Sequence, residues 1–172
     1  MRYNAFNNKK VEKPSLYHTP ISPNKSDLCS YISGYVDGEG SFCVSLTKNS
    51  KYRTGWEVRP SFSVSQNKTR SQVLRLLNVF FGCGSIRPNI SDNTLKYEVR
   101  SLEDLVDRII PHFEEYPVLS GKWKDFMAFR EVCFLMLDQK HRTPEGLKEI
   151  FSLISQMNPS GKRKYDPKEI KI

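Results

Sequence analysis

The sequence predicts an α+β domain in which one antiparallel four-stranded sheet carries helices on one face. Apolar residues recur at helical spacing in three segments, near 27–38, 69–81 and 101–110. Segments that alternate apolar and polar residues lie in pairs between these helices. The resulting order, α-β-β-α-β-β-α, favours two hairpins joined in a single sheet, with the other face left open.

The first predicted helix covers residues 27–38, with Ser26 as its N-cap and Gly38 at its end. Its apolar positions repeat at intervals of three and four residues: Leu28, Tyr31, Ile32, Tyr35 and Val36. Strands are expected near 41–49 and 56–66, joined by a polar loop. Pro60 predicts that the second strand lies at an edge or contains a bulge.

The next helix, hairpin and third helix are predicted from the same kinds of signal. A helix over 69–81 ends at Gly82, and a hairpin over 83–100 turns at Ser91-Asp92-Asn93. Ser101 is the expected cap of the third helix, and Pro111 is expected to end it.

Two further helices complete the predicted domain, which spans residues 26–158. One covers about 122–139, and the other begins at Thr143 with Pro144 in its first position. Residues 1–25 contain three prolines and no periodicity, which predicts an extended or disordered arm. Residues 159–172 form a basic tail, which is either solvated or in contact with phosphate.

Positive charge is concentrated in the predicted strands. The chain has a net charge of +8, and residues 42–100 hold ten Lys or Arg against three acids. Residues 101–172 hold twelve of each sign. A basic stretch confined to one region indicates a polyanion as partner, although a merely solvated Lys/Arg surface is the alternative.

Composition argues against several classes of protein. No apolar run reaches about 18 residues and the N-terminus lacks an apolar signal segment, so no membrane partner is expected. The four cysteines form no close pair, which favours reduced thiols over zinc or disulfides: Cys29, Cys43, Cys83 and Cys133. We therefore expect an intracellular protein, in an organelle or a bacterial cytoplasm.

Glu39 is the strongest candidate for chemistry. It presents a carboxylate where the first helix ends, and a hard divalent cation prefers such an oxygen, with the Gly38 carbonyl as a second ligand. A solvated acid beside a helix-ending glycine is the ordinary alternative. Ser33, Gly34 and Gly38 make one side of this helix small, so that another backbone could approach it closely.

The segment Ile32 to Gly40, ISGYVDGEG, resembles the LAGLIDADG motif of homing endonucleases in its single-copy form. It departs from that motif at Ser33, Gly38 and Glu39. The resemblance covers about residues 27–158 and implies a saddle-shaped sheet followed by C-terminal helices. It also implies a homodimer, joined through four residues of the motif helix: Ser33, Gly34, Asp37 and Gly38.

The resemblance also implies catalytic roles. The segment Phe62 to Arg70 is similar to the strand end that supplies active-site residues in this family. By that match Gln66 orders the attacking water and Arg70 stands near the scissile phosphate. Arg100 matches a position that is usually Lys, and by that match it would also act on the phosphate. Glu39 and the Gly38 carbonyl would hold Mg²⁺, or another divalent cation such as Mn²⁺.

The predicted function is therefore a homodimeric, metal-dependent, site-specific endonuclease that is encoded within an intron. It would make a double-strand break in a long pseudo-palindromic DNA target. Nine residues are expected to contact DNA: Lys48, Lys51, Arg53, Arg59, Lys68, Arg87, Asn89, Asn93 and Lys96. The alternatives are an RNA maturase that binds intron RNA and a DNA-binding regulator without catalysis.

Overall fold

The computed structural model describes residues 24–89 and 93–158. The predicted arm up to residue 23, part of the second hairpin turn and the basic tail lie outside the described residues. The helices and strands are, in chain order, α1 Lys25–Glu39, β1 Gly40–Lys48, β2 Trp56–Asn67, α2 Gln72–Phe81, β3 Ser85–Asn89, β4 Thr94–Val99, α3 Leu102–Asp104, α4 Ile110–Glu115, α5 Lys122–Leu137 and α6 Pro144–Gln156. Short 3₁₀ turns cover Lys68–Arg70 and Lys140–Arg142, and a π turn, Leu105–Ile109, joins α3 to α4.

The four strands form one antiparallel sheet in the order β1-β2-β4-β3. Both hairpins pair as predicted, and the two central strands β2 and β4 join them. Alternate residues of each strand pack against the helices, while the residues between them lie on a face that no described helix covers. The predicted α+β fold is confirmed.

Pro60 lies in the part of β2 that pairs with β1 alone. The pairing with β4 begins only at Phe62, so Pro60 has a neighbouring strand on one side only, which is a local edge of the kind where proline is tolerated. The register from Gly40 opposite Val64 to Lys48 opposite Trp56 is continuous. β2 is thus a central strand without a bulge at Pro60, contrary to the prediction, although Pro60 itself lies outside the stretch that pairs on both sides.

A cluster of aromatic rings holds the helices to the sheet. Phe42 of β1 lies at its centre, with ring centroids 5.2–5.4 Å from four other phenylalanines, namely Phe62, Phe113, Phe126 and Phe129. All five are fully buried. Because these rings come from β1, β2, α4 and α5, their burial fixes α5 beside the start of β1. No described helix is both long and apolar enough to cross a membrane.

Most helix ends follow the predicted capping, with one correction. The side chain of Asn24, rather than Ser26, accepts a hydrogen bond from the Asp27 N–H at 2.8 Å and caps α1. The helix therefore starts at Lys25, two residues earlier than predicted. Gly82 ends α2 in the left-handed conformation (φ 62°), as expected for a glycine at this position. The Ser101 side chain caps α3, also as predicted.

Pro111 does not end the third helical segment, contrary to the prediction. Helical structure continues to Glu115 because the turn that precedes the proline is widened to a π turn. In that turn the Ile110 N–H donates to the Leu105 carbonyl, five residues earlier. Proline disrupts a regular helix partly by a clash with the carbonyl four residues before it, and the wider turn accommodates the ring.

His112 makes stability depend on pH. Burial lowers the pKa of His112 to about 4, whereas an unfolded chain holds it near about 6.5. Between these values the unfolded chain binds the extra proton. We therefore expect the free energy of unfolding to decrease as pH falls through this window, by up to about 3 kcal/mol.

Urea unfolding of the wild type and His112→Gln between pH 7 and pH 4 measures this effect. The variant should lose most of the pH dependence. His141→Gln is the matched control. Because His141 is only partly buried, this variant should keep most of the pH dependence of the free energy of unfolding. Equal slopes for the wild type and His112→Gln would contradict the assignment.

Candidate active site

The junction between α1 and β1 places Glu39 at the end of the sheet. A Cβ on Gly40 would lie 2.5 Å from the Val36 side chain and 2.7 Å from its carbonyl oxygen, so only glycine lets the strand begin directly after the helix. Glu39 is exposed there. No described residue donates a hydrogen bond to its carboxylate or forms an ion pair with it. The carboxylate is therefore available to a ligand.

Helices α1 and α5 cap each other at this junction. Asp37 of α1 accepts hydrogen bonds from the N–H groups of Leu119 (3.2 Å) and Ser120 (3.0 Å), just before α5 begins. In return, the Lys122 ammonium of α5 donates to the carbonyls of Val36 (2.9 Å) and Gly40 (2.5 Å). These contacts satisfy backbone groups that helix ends leave unpaired, and they fix Lys122 beside Glu39.

The pKa values of Lys122 and Asp37 are both lowered by their surroundings, for different reasons. Partial burial lowers the pKa of Lys122, although the carboxylates of Asp37, Asp125 and Glu39 act in the opposite direction. The hydrogen bond from the Ser120 hydroxyl lowers the pKa of Asp37, and the backbone N–H bonds add to that effect. Asp37 is thus a stable anion, and Lys122 is a cation whose proton is held less firmly than usual.

Sequence reasoning missed Lys122. It lies 83 residues after Glu39, and the prediction used it only as the start of a helix. A lysine in the first turn of a helix is placed unfavourably with respect to the helix dipole, which is the single local signal that could have marked it. Only the contact between α1 and α5 reveals its neighbours.

Gln66 lies near the same junction. It follows Val64, which is opposite Gly40, by two residues, and its side chain reaches Tyr35 of α1. Its amide donates to the Tyr35 hydroxyl at 2.7 Å and accepts from the Asn67 N–H at 2.8 Å, so two bonds fix its orientation. Arg70 is exposed at the end of the following 3₁₀ turn. Tyr35 was predicted only as an apolar helix position.

Arg100 lies elsewhere on the sheet. Its guanidinium pairs with Glu98, at 3.0 Å from Nε and 3.2 Å from Nη2. It follows Val99, which is opposite Phe62, so it lies two strands and about three residues from Gly40. Standard sheet spacings put these two backbones roughly 14 Å apart. The cation that the structure places beside Glu39 is Lys122.

The residues predicted to contact DNA divide into three groups. Arg59, Arg87, Asn89 and Lys96 lie on the uncovered face of the sheet, where Glu57 pairs with Arg59 at 2.9 Å. Lys51, Lys68 and Asn93 are exposed in turns at the strand ends.

Lys48 and Arg53 each contact another part of the chain, and their contact with DNA stays a prediction. The Lys48 ammonium lies 5.6 Å from the centre of the Trp56 ring, on the helix-covered side of the sheet. Arg53 donates to the Arg142 carbonyl at 3.3 Å, which turns it toward the segment before α6. In both cases the side chain follows a tertiary contact rather than the open face.

The predicted dimer residues separate in the same way. Gly34 and Gly38 are exposed on one side of α1, and a Cβ at either position would meet nothing within 4 Å. Ser33 is buried against its own chain, where its hydroxyl donates to the Tyr116 carbonyl at 2.6 Å. Ser33 is therefore not available to a partner subunit, which corrects its assignment to a dimer interface. Asp37 bonds to Leu119 and Ser120 of its own chain but is only partly buried, and its place at an interface stays a prediction.

A hard cation fits the Glu39 junction. The described residues contain no cluster of three His, Cys, Asp or Glu that could hold a metal by themselves. Mg²⁺ does not need such a cage, because it commonly takes one or two carboxylates, several waters and substrate phosphate oxygens. The unpaired carboxylate of Glu39 and the Gly38 carbonyl, in the last turn of α1, are oxygen ligands of the required type.

Comparison with known proteins gives consistent results. The profile of the LAGLIDADG endonuclease family matches residues 32–133. The chain is 38% identical over 130 residues to probable intron-encoded endonuclease 2 of Neurospora crassa, which covers 75% of this chain and 29% of that protein. The first curated relatives are longer, and the chain spans 24–29% of their lengths.

Two solved structures have the same fold. The homing endonuclease I-TnaI superposes with a TM-score of 0.73 at 34% identity, over 81% of this chain and 91% of that one. I-SmaMI, bound to its uncleaved DNA target in the presence of calcium ions, gives 0.75 at 38% identity, over 79% of this chain and 46% of that one. Because the family profile covers more than half of the chain, and Ile32 to Gly40 lies within the match, this chain belongs to the LAGLIDADG endonuclease family.

Proposed function

We propose that this chain is a site-specific DNA endonuclease that cuts phosphodiester bonds with a divalent metal ion, Mg²⁺ or Mn²⁺. The observation that carries the proposal is the exposed, unpaired Glu39 carboxylate, with Lys122 fixed beside it and Gln66 bonded to Tyr35 of the same helix. The names of the relatives support an endonuclease over a maturase, and they support an origin within an intron. Relatives from an ND4 intron and a Cox1 intron favour an organelle as the compartment.

In this proposal Glu39 and the Gly38 carbonyl would hold the cation against the scissile phosphate. A bound divalent ion supplies charge stabilisation for the phosphate and a water of lowered pKa. Gln66 orients the attacking water with its amide, which Tyr35 and the Asn67 N–H hold in place. Fixed polar groups of this kind act without reorganisation during the reaction.

Two cations complete the proposed site. Lys122 would stabilise the negative charge that develops on the phosphate, the role that the sequence assigned to Arg100. Arg70, exposed at the same end of β2, would contact the phosphate backbone from the other side of the site. Both assignments follow from position: Lys122 lies beside Glu39, whereas Arg100 is bonded to Glu98.

The uncovered face of the sheet is the proposed DNA-binding surface. Arg59, Arg87 and Lys96 project from it, and a strand pair can lie in the major groove, where base edges are distinguishable. The structure of I-SmaMI with its DNA target supports a duplex as the partner. Affinity should weaken strongly with salt, because the binding surface is cationic.

A test of the function uses a duplex that spans the joined exons on either side of the intron encoding this chain. Incubation with Mg²⁺ should give a double-strand break at one place, and chelation of the metal should abolish it. A scrambled duplex of the same composition is the control. Cleavage that is absent in Mg²⁺ and in Mn²⁺, despite tight binding of the duplex, would overturn the proposal.

The proposed enzyme acts as a homodimer, because one Glu39 site serves one strand and two strands must be cut. The exposed Gly34 and Gly38 would let two copies of α1 pack closely. Gly34→Leu should therefore convert the dimer to a 20.0-kDa monomer. The fold should be kept, because a side chain at this position meets open space.

Light scattering at increasing protein concentration, with and without target duplex, measures the dimer prediction. Gly121→Leu is the matched control, since Gly121 is also exposed with open space around its Cα but lies at the start of α5. A wild type that stays monomeric when saturated with duplex would contradict the prediction. So would a Gly34→Leu chain that remains dimeric.

A further inference from the structure

Glu98 is a buried carboxylate on the open face of the sheet. It belongs to the same side of β4 as Lys96 and lies opposite Ser63 of β2 and Ser85 of β3. No described helix covers this face, and yet the Glu98 side chain is only 3% exposed. Three cationic side chains pair with it, and together with Glu98 we call them the Glu98 cluster: Arg87, Lys96 and Arg100.

The cluster satisfies the carboxylate completely. One oxygen accepts from Lys96 Nζ (3.3 Å) and Arg100 Nη2 (3.2 Å), and the other accepts from Arg100 Nε (3.0 Å) and from the Arg87 guanidinium. Four donors thus meet the four acceptor positions of one carboxylate. Burial by itself raises the pKa of Glu98, but the charges and hydrogen bonds of Lys96 and Arg100 outweigh it, and the pKa is lowered overall.

The cations themselves remain accessible. The side chains of Arg87, Lys96 and Arg100 are 53%, 40% and 61% exposed. An ion cluster with a buried centre adds little net stability, because desolvation of the charges offsets their attraction. The arrangement has a different consequence: three long, flexible side chains are held around one point on the surface proposed to meet DNA.

Holding these side chains has two effects on DNA binding. Each free Lys or Arg side chain loses rotamer entropy when it is ordered, and the Glu98 cluster has lost part of this entropy before DNA binds. Secondly, the carboxylate reduces the local charge from three positive charges to two. Sequence-independent affinity for DNA rises with the number of cations that neutralise phosphates, so this reduction weakens binding to random sequence.

We infer that Glu98 is a positioning residue for target specificity, which orients Arg87, Lys96 and Arg100 toward the cognate duplex and restrains their binding to any other. The inference rests on the proposed DNA endonuclease function. It makes a prediction that the proposed function alone does not make. Loss of the Glu98 charge should strengthen binding to random DNA and weaken discrimination in favour of the target.

The test compares Glu98→Gln with Glu57→Gln. Both substitutions remove one negative charge from the same face, but Glu57 pairs with Arg59 and not with the cluster. Equilibrium binding is measured in Ca²⁺ against a target recovered by cleavage selection and against a random duplex. For Glu98→Gln, random-duplex affinity should rise several-fold, and the ratio of target to random affinity should fall about tenfold. For Glu57→Gln both affinities should rise together, with the ratio unchanged.

A second variant separates orientation from charge. Glu98→Asp keeps the negative charge but is too short for all four bonds, so random-duplex affinity should stay at the wild-type value while target affinity falls. If the Glu98 variants do not fold, Arg87→Gln removes an exposed cation and leaves the carboxylate intact. Its target affinity should fall more than its random affinity.

The outcomes are distinguishable. Suppose that the wild type binds and cleaves its target, and that the ratio of target to random-duplex affinity for Glu98→Gln is within twofold of the wild-type ratio. That result overturns this inference alone. An equal loss of ratio in Glu57→Gln overturns it also, because charge by itself would then explain the effect. A wild type that neither prefers nor cleaves any duplex overturns the proposed function together with the inference.

Discussion

Glu39→Gln is expected to lower the rate of DNA cleavage in Mg²⁺ by about 10³-fold or more, while target binding in Ca²⁺ remains. The glutamine keeps the size and the hydrogen-bonding capacity of the side chain but removes the charge that would hold the cation. Metal-assisted charge stabilisation contributes several kcal/mol to such a reaction, and each 1.36 kcal/mol is about a factor of ten in rate. Single-turnover cleavage with enzyme in excess measures the step directly.

The fold should not be affected by this substitution, because Glu39 has no hydrogen bond or ion pair among the described residues. Asp27→Asn is the matched control. It removes one charge from the other end of the same helix, where Asp27 is also exposed. A Glu39→Gln chain that cleaves within tenfold of the wild-type rate would refute the assignment of Glu39 as the metal-holding residue.

Lys122→Met is expected to lower cleavage by about 10²–10³-fold, comparable to the loss of one fixed donor that stabilises a developing charge. Methionine matches the length of the lysine stem but provides neither the charge nor the bonds to the Val36 and Gly40 carbonyls. Lys124→Met is the control, because Lys124 is exposed two residues later in the same helix. Its cleavage rate should stay close to that of the wild type.

The pH dependence distinguishes a charge at Lys122 from a purely structural role. If the cation is required, cleavage should decline as pH rises through the pKa of Lys122, which burial lowers below the ordinary lysine value. Lys122→Arg keeps its proton throughout this range, so any activity that it retains should not show the decline. If Lys122 only caps α1, the wild type and Lys122→Arg should have the same profile, and Lys122→Met should lose stability but not chemistry.

The local elements were predictable because their determinants lie close together in the chain. The end of α1 near Glu39, the αL glycine at Gly82 and the cap at Ser101 all depend on residues within one helical turn. The same is true of Thr143 and Pro144 at the start of α6. The alternation of the strands likewise determines which side chains share a face.

The errors arose where a distant contact or a competing local geometry decided the outcome. Ser26 is a good capping residue, but Asn24 caps first and leaves Ser26 inside the helix. Pro111 is a good helix terminator, but the π turn before it relieves its clash. Lys122 was predicted only as a helix start, but the packing of α5 against α1 places it beside Glu39.

By itself the sequence determined the fold class, the family and the acidic residue at the helix end, because periodicity, caps and the motif are all written in neighbouring residues. Tertiary structure alone decided which cation lies beside Glu39. It also decided that three cationic side chains pair with the Glu98 carboxylate. The first depends on the contact between α1 and α5, which brings Lys122 to Glu39 from 83 residues away in the sequence. The second depends on the pairing of β3 with β4, which places Arg87 beside Glu98. Sequence separation carries no information about such distances until packing of the core brings the elements together.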